Sequence, residues 1–506
     1  MIRSSTLHSG SCAIAILALV CLSSCAEPLA PGYKIEKQSI TVRFVPGSPA
    51  HLAIRAEYRL ANTGNASLEF MDVGLPARKS FGRENLRVQI NGRDAVPAIE
   101  RGEDADEGES SSPEEWPVVW RIPFSPAWPR KQKRNLSIEY DLTAAAEPRL
   151  RMYVSPAMFY LNDSGWFPNP LAPKNFLAKD LVRPDPAELH IIVPEGFRAM
   201  GSGEWKGTHK SNGATDFRFQ MRKDDFDPFL IAGKYFEQQI TTSAGGVNLW
   251  TFTPLSLPQA QASALQIATA RKFYQASLHP LPNSMKAIYD VELPKDFGDE
   301  IDLLQAQAAE LPFLPGVVYD WLLTPGKSFW TKLGNGFAAS FGQIELSYSW
   351  FGHMARPQSD AWILAQELTS YLSNLENDAN GNDTSRAENI SSVLRDYDED
   401  VRKAAEKPLL SLTPSDSKVQ LQLGADKTAL FLYALEDRCG RDNLTHAIAH
   451  MISALRFQQY GYDDFRSAVE EECHQDLGPF FRTWLNEKGI PAEFRAKYEP
   501  AVQKKN

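Results

Sequence analysis

The chain has 506 residues, of which 43% are apolar and 23% charged, and its formal net charge at neutral pH is -10. That is the balance of an ordinary globular protein; the negative charge excludes a nucleic-acid partner and argues against an electrostatic hold on anionic lipid. Roughly 480 residues remain after the leader described next, more than a single core accommodates, so two or three domains are expected.

Arg3 opens a leader whose apolar run, Cys12 to Leu22, is 11 residues long. This is the length of a signal-peptide core and too short to span a bilayer. Leu22-Ser23-Ser24-Cys25 follows directly and resembles the bacterial lipobox, so residues 1–24 are expected to be removed and Cys25 acylated, a palmitate-type membrane anchor. Ala26 is not the aspartate of an inner-membrane retention signal, which favours the periplasmic face of the outer membrane over the inner membrane. Residues 25–34 are then a lipidated tether, and no later apolar run approaches a second span.

From about 35 to 252 the pattern is β. Short alternating or β-branched runs at 39–45, 51–60, 85–90, 135–143 and 188–194 are separated by turn residues such as Pro46-Gly47, Asn62-Thr63-Gly64-Asn65 and Asn91-Gly92. This spacing predicts an antiparallel saddle or sandwich. The stretch 100–115 holds eight acids and one base, either a solvated loop or a site for a cation or basic partner. Pro129 to Arg134 (PRKQKR) reads as an edge-protecting turn rather than a binding patch.

After about 253 the period becomes helical. Helices are expected at 257–277, 360–374, 386–404, 428–437, 443–456 and 463–473, with a strand at 341–348, giving an α-rich domain over 253–496 and a polar tail over 497–506. Of five cysteines, Cys439 and Cys473 alone are left once the leader and Cys25 are set aside. In an oxidising compartment they are either a disulfide or two free thiols, because sequence does not show the distance between them.

Several segments resemble, in order, the aminopeptidase N family of zinc metallopeptidases, the gluzincins. Tyr160-Leu161-Asn162-Asp163-Ser164-Gly165-Trp166-Phe167-Pro168 looks like its aromatic turn late in the β domain. Ala270-Arg271-Lys272-Phe273-Tyr274 and His279-Pro280-Leu281-Pro282 resemble the opening of its peptidase domain. Gly336 to Gly342 (GFAASFG) stands where the family has G-A-M-E-N, Gln366-Glu367-Leu368-Thr369-Ser370 where it has H-E-x-x-H, and Lys427 to Leu432 resembles its K-G-A-x-x-L helix start. Asp463 to Leu485 looks like its closing helices. The resemblance spans about 150–490 and implies an α+β multidomain protein, a β saddle followed by a thermolysin-like, mostly helical peptidase-type domain.

The family's chemistry needs two imidazoles one helical turn apart, a general-base glutamate beside the first, and a third ligand about 19 residues beyond the second. Matched position by position, the histidines are replaced by Gln366 and Ser370, and Glu367 alone keeps its place. Glu388 falls within one residue of the third-ligand position; it is otherwise a solvated helix residue. The substrate-anchoring glutamate aligns with Ala339, and the oxyanion-stabilising tyrosine, two residues before the lysine, with Ala425. An amide and an alcohol are poor zinc donors, so the resemblance implies a degenerate member without zinc or any other cofactor. His446 and His450 share helical metal spacing but lie off the core stripe of their helix and read as surface residues. The expectation is an inactive, lipid-anchored envelope protein that binds a peptide or protein partner. A hydrolase built on Glu367 and Glu388 is the alternative.

Overall fold

The computed structural model describes residues 32–75, 82–101, 118–143, 152–162, 166–171, 186–221, 229–278, 288–293, 313–315, 349–358, 360–379, 386–413, 416–456 (all but 414–415 of that run) and 458–503. Cys25 with its leader, the acidic stretch from 102, Ala339 with its glycine-flanked segment, and the expected strand 341–348 lie outside the described residues. Among the described residues no helix is long and apolar enough to cross a membrane.

The protein is mixed α+β, with a large N-terminal β region and a C-terminal helical one. An eight-stranded sheet leads, in the order Glu204–Ser211, Ala214–Met221, Ala187–Pro194, Tyr33–Val45, His51–Asn62, Lys133–Thr143, Gly82–Ile90 and Arg93–Ala95. Alternation along Tyr33–Val45 and His51–Asn62 buries Ile40, Val42, Leu52 and Ile54 on one face and leaves the other polar, as a half-solvated sheet requires. The expected antiparallel saddle needs one correction: Tyr33–Val45 runs parallel to Ala187–Pro194, Ser39 opposite Glu188. No hairpin links strands so far apart in sequence, so the turn signals that imply antiparallel neighbours are silent here. The strand also begins inside the expected tether, at Tyr33.

The aromatic turn resolves as a structural clasp. Trp166 and Phe167 are buried. The hydroxyl of Tyr140 donates to the Trp166 carbonyl at 2.6 Å, and those of Tyr58 and Tyr33 donate to the carbonyls of Pro168 and Leu171. Three strands thereby supply partners to a backbone segment that has few ladder bonds of its own.

Strands Phe236–Thr242 and Gly245–Thr251 join Tyr289–Leu293 and Phe313–Pro315 in a mixed four-stranded sheet. Helix α1 (Leu257–Leu278) links two parallel strands of that sheet and packs on it through Ala260, Ala264 and Ile267. Beyond it come α2 (Trp362–Ala379), α3 (Arg386–Asp400), α4 (Lys418–Cys439), α5 (Arg441–Ala454), α6 (Tyr462–Cys473), α7 (Gly478–Asn486) and α8 (Ala492–Gln503). Phe431, Phe465, Phe481 and Trp484 form the aromatic centre of this half, with the rings of Phe431 and Phe481 5.1 Å apart and edge-on. Cys439 and Cys473 are joined, tying the end of α4 to the end of α6. Residues 497–503, expected as a polar tail, continue α8.

Helix α4 starts ten residues before the expected 428. Ser417 caps it: its hydroxyl accepts from the Gln420 N–H at 3.4 Å, while the Gln420 amide oxygen accepts from the Ser417 N–H at 3.3 Å. The signal was the S-x-x-Q of a capping box. Lys427 therefore stands in mid-helix rather than at a helix start, and the consequence is functional, because α4 forms one wall of the candidate site.

Candidate functional site, a pocket on the glutamate helix

Helical spacing explains which side chains meet. On α2, Glu367, Ser370, Tyr371 and Asn374 stand at i, i+3, i+4 and i+7 and so share one face. On α3 the matching set is Asn389, Ser392 and Val393; on α4 it is Ala429 and Tyr433. These nine residues line a cavity of about 280 Å³. Gly424 lets α2 and α4 approach: a Cβ there would stand 3.0 Å from Ile363 Cδ1 of α2.

Glu367 is 8% exposed. Burial, reinforced by the nearby Asp426 carboxylate, pushes its carboxyl up to about 8, so it is protonated at neutral pH. Asp426 itself is pushed up to about 6 by burial, against the bond it accepts from the Gln422 amide at 2.9 Å, with Asp396 and Asp400 adding to the rise. Tyr433 is pushed up to about 12 by burial, and its hydroxyl accepts from the Asn374 amide at 3.2 Å. Tyr371 is raised further, by burial and by the Glu436 carboxylate, to which its hydroxyl donates at 3.0 Å. Glu436 is in turn held by Arg386 and Arg441, each at 3.2 Å. At pH 7 the lining is thus uncharged: hydroxyls, amides, two phenols and a carboxylic acid.

The sequence-derived residues separate at this point. Glu367 and Ser370 share the cavity, whereas Gln366 is half-buried and outside its lining. The Ser370 hydroxyl donates back to the Gln366 carbonyl at 3.3 Å. Glu388 is exposed in the first turn of α3 and does not line the pocket; Asn389 does. A count of 19 from Ser370 reaches Asn389 with no gap, and the exposed Glu388 agrees with its alternative reading as a solvated helix residue. Asn389, Tyr371 and Tyr433 escaped the sequence reading, and so did the coupling of Glu367 to Asp426. The i, i+4, i+8 series Ala425, Ala429, Tyr433 was the available signal for the tyrosine. Ala425 packs against the helical core. His446 and His450 are exposed on α5, the latter 3.7 Å from Glu471.

Zinc does not fit this donor set. The positions that would face it offer an alcohol, an amide and a protonated acid, and zinc binds imidazole, thiolate or carboxylate. Among the described residues there is no group of three or more histidine, cysteine, aspartate or glutamate side chains placed to hold a metal.

The protonated Glu367 makes stability depend on pH. The folded chain holds this proton above the pH at which the unfolded chain releases it, so the contribution is full below about pH 4.5 and is lost as pH rises through about 8. Glu367→Gln, which keeps the shape and removes the titration, is expected to be more stable than the native chain at pH 9 by about 5 kcal/mol, and nearly equal to it at pH 4. Urea midpoints at the two pH values measure this; equal shifts at both would refute it.

A large N-terminal β region leads into a helical one, and the fold the chain adopts is similar to that of aminopeptidase N-like M1 zinc metallopeptidases. The M1 zinc metallopeptidase from Deinococcus radiodurans superposes with a TM-score of 0.57 at 14% identity, covering 92% of this chain and 97% of that one. A mutant of that enzyme bound to a Tyr-Ser-Ala substrate gives 0.57 at 14% identity, over 91% and 95% of the two chains. A two-domain M1 zinc metallopeptidase mutant bound to L-arginine gives 0.56 at 14% identity, over 92% and 96%. The chain matches no protein-family model and no curated protein sequence.

Proposed function

We propose that this chain is a lipid-anchored protein of the cell envelope, held at the periplasmic face of the outer membrane through Cys25. In it a metallopeptidase fold has lost its chemistry and binds a peptide or protein partner instead. One observation carries the proposal: the cavity on the glutamate helix presents Ser370, Asn389 and a protonated Glu367 where a zinc peptidase needs metal ligands and a base. A protonated acid accepts no proton from water, and no cofactor is invoked. At about 280 Å³ the cavity is near the lower limit of ligand pockets, about 300 Å³, and is the size for one residue of a chain rather than a whole small molecule. Its amides and hydroxyls suit the backbone and terminus of a peptide. A hydrolase built on Glu367 and Glu388 loses its pair, since only Glu367 faces the cavity.

Two assays test this. Hydrolysis of alanyl and leucyl arylamides, with and without added zinc, is expected to be no faster than for Glu367→Gln; turnover that this substitution abolishes would end the proposal. Retention of members of a defined tripeptide library by the immobilised chain is expected to fall at least about tenfold in Val393→Trp, which fills the cavity.

A further inference from the structure

The described chain begins at Gly32, and its hydrogen bonds fix what lies beside that point. The Gly32 carbonyl accepts from the N–H groups of Thr63 at 3.2 Å and Gly64 at 3.1 Å. The Asn62 N–H donates to the Gln132 carbonyl at 3.0 Å, and the Lys131 N–H to the Asn62 carbonyl at 3.1 Å. The buried Asn62 amide donates to the carbonyls of Ala66 and Trp128, both at 3.0 Å. The basic turn from Pro129 to Arg134 is therefore bonded to the place where the chain enters its first strand.

Cations collect at this end of the sheet. Arg130 and Lys131 are exposed and make no ion pair among the described residues. Lys133, Lys34 and Arg59 surround one carboxylate, Glu36, at 2.7, 3.6 and 3.6 Å. Arg134 donates to the Pro126 carbonyl at 2.9 Å and lies over the Phe124 ring. Glu69, beside the Leu68–Trp128 pair, is a second acid here. Among the described residues six cations thus gather here with Glu36 and Glu69, in a chain whose net charge is -10.

We infer that this end of the sheet is a docking surface for an anionic phospholipid layer; the inference rests on the reading of Cys25 as a lipid anchor. Six residues, 26–31, separate Cys25 from Gly32, and the seven Cα–Cα steps limit the reach between them to about 25 Å even when fully extended. An acyl chain at Cys25 keeps the basic turn within a few Debye lengths of the headgroups, each about 8 Å at physiological salt. The net charge that opposes a general attraction to anionic lipid does not oppose a local one, because screening confines each contact to its neighbours.

The test uses the chain from Ala26 onward, which keeps every described residue and has no acyl group. It is expected to cosediment with vesicles of phosphatidylcholine and phosphatidylglycerol at about two to one, but not with phosphatidylcholine alone, and to be released by salt. Each cation near such a surface contributes about fivefold, so Arg130→Gln with Lys131→Asn is expected to weaken partitioning roughly twentyfold. Asparagine suits the positive φ of 61° at Lys131. Lys206→Gln with Lys210→Gln, on the far edge strand, is expected to change nothing. Equal binding to both vesicle types, or a double variant at 130 and 131 that binds like the native turn, overturns the surface. Mass spectrometry of the exported chain separates the two readings. If Cys25 carries no acyl chain while turn-dependent binding persists, the anchor falls and the surface stands; if Cys25 is acylated and the vesicles do not discriminate, the surface falls and the anchor stands.

Discussion

Gln366→His, Ser370→His and Asn389→Glu together are expected to give a chain that holds about one zinc ion per molecule, where the native chain is expected to retain none. The argument is geometric. Positions 366 and 370 are one turn apart on α2, and Asn389 of α3 shares the cavity of Ser370 and Glu367. Two imidazoles and a carboxylate make a three-ligand site of the catalytic type, leaving a fourth position open, and binding energies for well-formed protein zinc sites are on the order of 10 kcal/mol. The carboxylate at 389 matters most for the assignment: the double variant Gln366→His with Ser370→His, which keeps native Glu388 and Asn389, lacks the third ligand and is expected to lose zinc on dialysis. Metal analysis after dialysis, with chelator competition, gives the result. Stoichiometric zinc in the native chain would remove the basis for calling the site degenerate, and a folded triple variant that binds none would show that the three positions do not converge. Peptide cleavage is not expected to return with the metal, because Ala425 offers no hydroxyl and one oxyanion donor is typically worth a few kcal/mol of barrier.

The second large effect is on stability. Lys427 is fully buried, and its ammonium donates to Glu406 at 2.9 Å and to the Glu487 carbonyl. Glu406 also accepts from the Gly489 N–H, so this pair pins α4 to the loop between α7 and α8. Burial lowers the lysine pKa, and the Glu406 carboxylate opposes that drop. Lys427→Ala would leave Glu406 as a buried, uncompensated charge, a defect that costs about 3 to 5 kcal/mol. Urea denaturation at neutral pH is expected to show a loss of that size with the denaturant slope unchanged. A loss below about 1 kcal/mol would mean that the pair is wet and the clamp is not real. Glu406→Gln added to Lys427→Ala is expected to recover part of the loss, since a neutral amide costs less to bury than an unpaired carboxylate. The lysine of the K-G-A-like segment thus holds helices together in this chain.

Much of the fold was legible because it is periodic. His51–Asn62 and Lys133–Thr143 alternate strictly, and α1 and α6 fall within a residue or so of where their spacing placed them. The edge strand Glu204–Ser211 was not seen, because it is exposed along nearly its whole length and carries no apolar alternation. Strand Val118–Trp128 was hidden by its two prolines and by lying outside the main sheet. The start of α4 was missed because Val419, Leu421 and Leu423 alternate with Gln420 and Gln422, a period of two instead of 3.6, and only the Ser417 cap announces the helix.

The candidate site was legible only in what it lacks. The identity of a side chain is a local fact, so the absence of imidazole at 366 and 370, and of a hydroxyl at 425, needed nothing but the order of residues. What surrounds Glu367 is not local. Its partners come from α3 and α4, about 20 to 65 residues away, and burial between three helices raises its pKa. Whether Glu388 or its neighbour enters the cavity is a matter of 100° of rotation about α3, too fine for alignment across a loop. The same holds for charge. Composition sums to -10 and suggests aversion to anionic surfaces, while the sheet brings Lys34, Arg59 and the 129–134 turn together from three distant segments. Sequence by itself determined which side chains stand at 366, 370 and 425; the tertiary structure alone decided which groups are neighbours, because dielectric and Coulomb effects depend on distance through space and not along the chain.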